Sequence, residues 1–484
     1  MKTRYLIGAA GMAGAVIAVG QLSGADTRAV NETEVVPPPT TAAVSNEFEV
    51  EPQGEGTPDV ILFEISGTAN WSQGDMRAYS IGTTSCNIGD VPLAWQGSTN
   101  QHPVIGQNMF KLAPGANGHL RIEQLGQSWL KHGFCALDLN ECGDCQGTGC
   151  SSLGVGCSDP YTAFRNGGQS GAGPKYQVNA TNGFFPYPPA NPPYSGEMDR
   201  RLQVPLAEVL PADNPDATFV FEGQYVCPDE NVEVDIIRAA NNVSWRTGTL
   251  NSSGALVSYD GETRIGEPAL YAWKEADPTI TLQWRAITGV GNFFVASQAY
   301  DNGDGTWDYE YVVHNLDSDR SVGSVAVDVD DSVTVTEVGF HDVDYHSGEP
   351  WDGTDWADAR DSSEVRWNVA EPYAVNPNGN AIRWGTAYNF RFTADSGPTE
   401  GVITLGLFKD GDGPNEFIAD VKVPLSLDVC TGDFDEDGVV GFDDLASMLS
   451  EWGFCFNCPE DLDGNYDVNF DDLVTLLGLY GPCP

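Results

Sequence analysis

Acidic side chains recur near the C-terminus at a spacing that suits a hard cation. Asp433, Asp435, Asp437 and Asp444 occupy positions 1, 3, 5 and 12 of one stretch; Asp461, Asp463, Asn465 and Asp472 occupy the same positions of a second. Calcium takes six to eight oxygen ligands, and a tight loop with this spacing wraps them round one point, with position 7 (Val439, Asp467) offering its backbone carbonyl. Gly438 at position 6 permits the sharp turn. Tyr466 holds that place in the second stretch and predicts a weaker site there. The cofactor these residues call for is calcium, two ions in all.

The elements that must position these ligands repeat as well. Shifted by 28 residues, the tail aligns with itself: Cys430 falls on Cys458, Asp433 on Asp461, Asp435 on Asp463, the "FDDL" of 442–445 on that of 470–473, and Cys455 on Cys483. Each loop runs into a predicted helix. Leu445, Met448, Leu449 and Trp452 fall at i, i+3, i+4 and i+7, as do Leu473, Leu476, Leu477 and Tyr480, so each helix should bury one apolar face against the other. Nothing helical precedes the first loop, where "VPLSLDVCTG" reads as extended chain.

A duplicated loop and helix without the entering helix of an ordinary EF-hand resembles the type I dockerin module, here over residues 428–484. The resemblance implies a small all-α unit that folds around two calcium ions and docks onto a cohesin domain of a scaffold or cell-surface component, often tethering polysaccharide-degrading enzymes. Two departures stand out. Positions 10 and 11, often a Ser-Thr type pair that reads the cohesin, are Phe442-Asp443 and Phe470-Asp471, and the framing cysteines are unusual for the family. Two pairings respect the internal symmetry: Cys430 with Cys455 and Cys458 with Cys483, or Cys430 with Cys483 and Cys455 with Cys458. The sequence leaves both open. A zinc site of four thiolates is disfavoured in an exported chain.

Other chemistry-bearing residues give weaker signals. In "GFHDVDYHSGEPWDGTDW" an extended segment would put Asp342, Asp344 and His346 on one face, with Glu349, Asp352 and Asp355 beyond; a polar loop at a sandwich end is the plainer reading. His102, His119 and His132 match no metal or catalytic motif and read as unrelated. "DNGDGTWD" carries Asp301, Asp304 and Asp308 between two strand patterns and reads as a hairpin turn. Ser85 lacks the G-x-S-x-G setting of a nucleophile, and its neighbour Cys86 reads as a disulfide partner. The C-x-x-C of "CGDCQGTGC" reads as part of a disulfide loop.

The rest of the chain sets the frame. Its 484 residues carry 70 acidic and 23 basic side chains, a formal charge of -47, which repels nucleic acid and anionic membranes. Residues 1–25, with Lys2 and Arg4 before an apolar run and small residues at Ser23 to Ala25, read as a secretory signal, so no membrane insertion is expected after its removal. Residues 26–57 form a Pro/Thr/Glu-rich linker. Residues 58–227 read as a cysteine-rich β domain, and residues 228–427 as an antiparallel β-sandwich of immunoglobulin-like type, with strands such as "NFFVASQAY" and "WDYEYVVHNL". This middle region resembles large exported bacterial proteins of unassigned activity that carry such tails.

The expected fold is therefore mainly β with a small all-α tail. The expected function is that of an exported, non-catalytic binding or extracellular matrix protein, tethered by its tail and associated with polysaccharide. The alternative is a polysaccharide-degrading hydrolase or lyase with a dockerin-like tether. A glycosidase needs two carboxylates across a sugar bond, and no pair stands out among so many acids.

Overall fold

The computed structural model describes residues 56–344, 348–426, 430–435, 437–455 and 458–483. The expected signal, nearly all of the linker, and His346 lie outside them. The fold is mainly β, built from antiparallel sheets, with two short helices near the C-terminus.

Two sandwiches make up the body. In the first, a four-stranded sheet (Val60–Gln73, Met76–Asn87, Leu202–Pro205 and Ser158–Tyr161) faces a seven-stranded one centred on Val104–Pro114 and Thr218–Val226. Val60, Leu62, Tyr79 and Ile81 meet Ile105, Met109, Phe219 and Phe221 between them. The hairpin read in "IGQNMFKL" and "HLRIEQLG" is present as Val104–Pro114 paired with Leu120–Gln127. The larger sheet continues through Val243–Leu250 and Leu256–Ile265, past residue 227, where the sequence places the boundary between the two β domains.

In the second sandwich, Thr281–Ile287, Gly291–Asp301, Trp307–Asn315, Thr386–Ala394 and Val335–His341 form one sheet. Ala357–Arg360, Glu364–Asn368, Val322–Asp328, Pro398–Leu407 and Glu416–Pro424 form the other. Strand alternation sends Tyr309, Tyr311 and Val313 into the core between them, beside Trp367, Phe390 and Leu405. The opposite face is buried too. Val312, Phe294, Ala296 and Ala387 pack with Phe110, Val220, Trp245 and Trp273 in a third core that joins the two sandwiches. Across this junction Arg121 donates from Nε to both carboxylate oxygens of buried Glu310, each at 2.9 Å.

Disulfides hold the loop that hydrophobic burial could not. Cys86–Cys142, Cys135–Cys150 and Cys145–Cys157 pin residues 135–157, so the C-x-x-C cysteines join other partners and not each other. Inside that loop Asp138 accepts from the N–H groups of Thr148, Gly149 and Gly154. Cys227 is the free cysteine, and it is buried.

Candidate functional site

Each tail loop is organised by two carboxylates. Asp433 at position 1 accepts from the N–H groups of positions 5 and 6: Asp437 at 3.1 Å and Gly438 at 2.8 Å. Asp444 at position 12 opens the helix Phe442–Ser450 and accepts from positions 2, 3 and 9: Phe434 at 2.6 Å, Asp435 at 3.3 Å and Gly441 at 2.7 Å. The second loop repeats every bond. Asp461 accepts from Asn465 at 3.2 Å and Tyr466 at 2.7 Å, and Asp472 accepts from Leu462, Asp463 and Asn469 at 2.9, 3.1 and 2.8 Å.

This wiring converges three carboxylates per loop. Ligand oxygens of Asp433, Asp435 and Asp444 lie within 4.8 Å of one another, as do those of Asp461, Asp463 and Asp472. Desolvation and the neighbouring charges of Asp437, Asp444 and Asp433 hold the Asp435 carboxyl above its ordinary value. Asp444 lies below its own: against the desolvation of its site, the N–H groups of Gly441, Phe434 and Asp435 favour its charged form. Asp437 and Asn465 turn a side-chain oxygen to the N–H of Val439 and Asp467, both at 2.9 Å. The Asp467 carbonyl accepts from Asn469 Nδ2 at 2.7 Å.

The two copies complete each other. Val439–Val440 of the first loop pairs with Gly481–Pro482 after the second helix, and Asp467–Val468 of the second loop pairs with Gly453–Phe454 after the first. Cys483 N donates to Gly438 O, and Cys455 N to Tyr466 O. The disulfides are Cys430–Cys483 and Cys455–Cys458, the second of the two symmetric pairings. Val440, Met448, Cys455, Val468 and Leu476 form the small core. Leu449, Trp452, Leu477 and Tyr480 remain 47–55% exposed, so only part of each expected apolar face is buried. Phe442 and Phe470 are 72% and 66% exposed.

Most of the weaker motifs disperse, but His102 and His132, which the sequence reads as unrelated, meet. Asp342 accepts from Asn380 Nδ2, Asp352 accepts from Asn376 Nδ2 at 2.8 Å, and Glu349 accepts from the N–H groups of Lys175 and Tyr176 at 2.6 and 3.1 Å. His102 Nε2 meets His132 Nδ1 at 3.0 Å, while His119 lies against Tyr300 and meets Asn302 at 3.0 Å. Asp301 pairs with Trp307 across the turn of a hairpin, as its sequence suggests. Ser85 is buried, with its hydroxyl toward the Asp159 carbonyl.

Sequence reasoning missed a pocket of about 160 Å³ where the two sandwiches meet. The first sandwich contributes Lys175 and Tyr176, from the turn Lys175–Gln177. Lys175 Nζ donates to Gln127 Oε1 at 2.9 Å and Gly385 O at 3.3 Å, and lies 4.7 Å from the Trp384 ring centre. Burial pushes this amine down to about 8 and the adjacent Glu349 carboxyl up to about 7. From the second sandwich, the Arg383 guanidinium lies 5.0 Å from the Trp351 ring centre. Lys409 pairs with Asp319 at 2.9 Å and lies 5.8 Å from the Tyr373 ring centre. These residues have no common motif; only the apposition of the sandwiches assembles them.

No protein-family model matches the chain, and no curated protein matches it. Solved structures give distant overlaps. The serine-rich repeat adhesion glycoprotein Srr1 of Streptococcus agalactiae is 8% identical over 75% of this chain and 97% of its own, with a TM-score of 0.18. The N-terminal domain of the Streptococcus gordonii adhesin Sgo0707 is 10% identical over 76% and 92%, with a TM-score of 0.17. The B domain of a biofilm-associated protein is 9% identical over 83% and 93%, with a TM-score of 0.12. Among the described residues no helix is long and apolar enough to cross a membrane.

Proposed function

We propose that this chain is an exported, non-catalytic binding or extracellular surface protein, that its tail is a dockerin-like module folded around two calcium ions, and that its body associates with polysaccharide. The observation that supports the tether most directly is the bond-for-bond repetition of the two loops. Such a pattern gathers carboxylates that repel one another unless a cation lies among them. The donors are all oxygen, which fits calcium and disfavours zinc or copper. Asp433, Asp435, Asp437, the Val439 carbonyl and Asp444 would hold one ion. Asp461, Asp463, Asn465, the Asp467 carbonyl and Asp472 would hold the other. Exposed Phe442, Phe470, Trp452 and Tyr480 give the module an apolar outer surface suited to a cohesin-like scaffold or cell-surface partner.

Calorimetric titration of the chelated full chain with calcium should show two sites, and a chelator should lower the melting temperature of the tail. Heat and melting curves indifferent to calcium would remove the tether from this reading. For the body, a polysaccharide panel should show retention without new reducing ends or unsaturated sugars. Turnover on any member would favour the hydrolase or lyase instead.

A further inference from the structure

We propose that the pocket between the sandwiches receives one carboxylated ring of an acidic polysaccharide. This rests on the carbohydrate-binding reading above and assigns it a place and a ligand class.

Charge is the first reason. Acidic residues outnumber basic ones by 70 to 23 in the chain, yet the pocket is lined by Lys175, Arg383 and Lys409 against the single carboxylate of Asp319. Asp319 is engaged by Lys409, and Glu349 beside the pocket is engaged by two backbone N–H groups. Lys175 is offset by buried Glu349 and Glu222, so the positive character of the pocket wall rests on Arg383 and Lys409, and an anion is the species they favour. Repulsion from the rest of the surface is screened beyond roughly 8 Å at physiological salt, so it bears mainly on the polymer outside the pocket.

Shape is the second. A volume of about 160 Å³ is well below the ~300–1,000 Å³ of sites that enclose a drug-sized molecule, which suits one ring of a longer chain. The wall is aromatic where it opens. Tyr176 and Tyr373 are 42% and 38% exposed, and Trp351 is half-buried. Flat aromatic faces pack against the C–H faces of a sugar while the cations take its carboxylate.

The test is titration calorimetry of the full chain, at constant calcium and 0.15 M salt, with tetragalacturonate and with cellotetraose, an uncharged oligomer of equal length. The acidic oligomer should bind roughly tenfold more tightly, and Tyr373→Ala and Lys409→Gln should each weaken it about tenfold while keeping the wild-type melting temperature. Equal affinity for the two oligomers, or preference for the neutral one, overturns the ligand class. Tetragalacturonate binding unchanged in both variants overturns the pocket and leaves the carbohydrate reading standing. If the wild-type chain binds neither oligomer and no member of the polysaccharide panel, that reading falls as well.

Discussion

Tyr466 takes φ +68° at the position where the first loop places Gly438 at +85°. A side chain in that region costs roughly 1–2 kcal/mol, yet the second loop keeps every bond of the first. Tyr466→Gly should therefore strengthen calcium binding at the second loop by about fivefold to thirtyfold, read by titration, and Asp433→Ala should cost more affinity than Asp461→Ala. The ligand spacing was legible because position along a loop fixes which oxygens converge. That an aromatic residue would still adopt the turn was not legible, since local preference opposes it and bonding from the rest of the loop overrides it. His314 was opaque for another reason. It is fully buried in the junction between sandwiches, near Phe110 and Phe294, and neither ring nitrogen has a partner. An orphaned buried polar group costs about 1–3 kcal/mol, so His314→Leu should raise stability by roughly 1 kcal/mol in urea unfolding.

The tail helices, Phe442–Ser450 and Phe470–Gly478, have nine residues each. Helices that short are marginal in water, so tertiary contacts and the caps must hold them. Asp444 serves three N–H groups and lies in the carboxylate cluster, whereas the Asp437 side chain accepts from the Val439 N–H. Asp444→Ala should thus reduce the calcium stoichiometry from two to one, while Asp437→Ala should keep two sites and weaken one, a contrast that titration resolves. The periodicity identified Met448 and Leu476 as core. It overstated Leu449, Trp452, Leu477 and Tyr480, because two short helices touch along a small area and the strand residues Val440 and Val468 fill the remaining space. Period-two patterns were more reliable in the second sandwich, where Tyr309, Tyr311 and Val313 do face the core. Strand alternation by itself assigns no partner to the opposite face. Its burial follows from the first sandwich packing on it, which strand alternation does not encode.

For the whole molecule, acids and histidines buried within the body set opposing pH trends. Burial raises Asp59 to about 6 and Asp159, Glu222, Asp317 and Glu349 to about 7. Their protons bind more tightly in the folded chain, so their contribution is full below the unfolded carboxylate range near pH 4 and is lost as pH rises through 6–7. His132 and His314, lowered to about 3 by burial, contribute above the unfolded value of 6.5 and lose that contribution as pH falls. The acids outnumber the histidines, and protonation also relieves the self-repulsion of a chain carrying -47. The melting temperature at constant calcium should be higher at pH 5 than at pH 8, as scanning calorimetry would show.

The Cys430–Cys483 bond, which joins the first and last cysteines of the tail, has a mechanical consequence. If the tail is what anchors the body, any pull enters at Cys430. A reduced tail could pay out as much as about 180 Å of chain from the 53 residues between those cysteines before going taut. With the bond closed, that length is locked. Under flow or drag the anchor would behave as a short, stiff link, and load would reach the grip on its partner instead of being spent on unravelling.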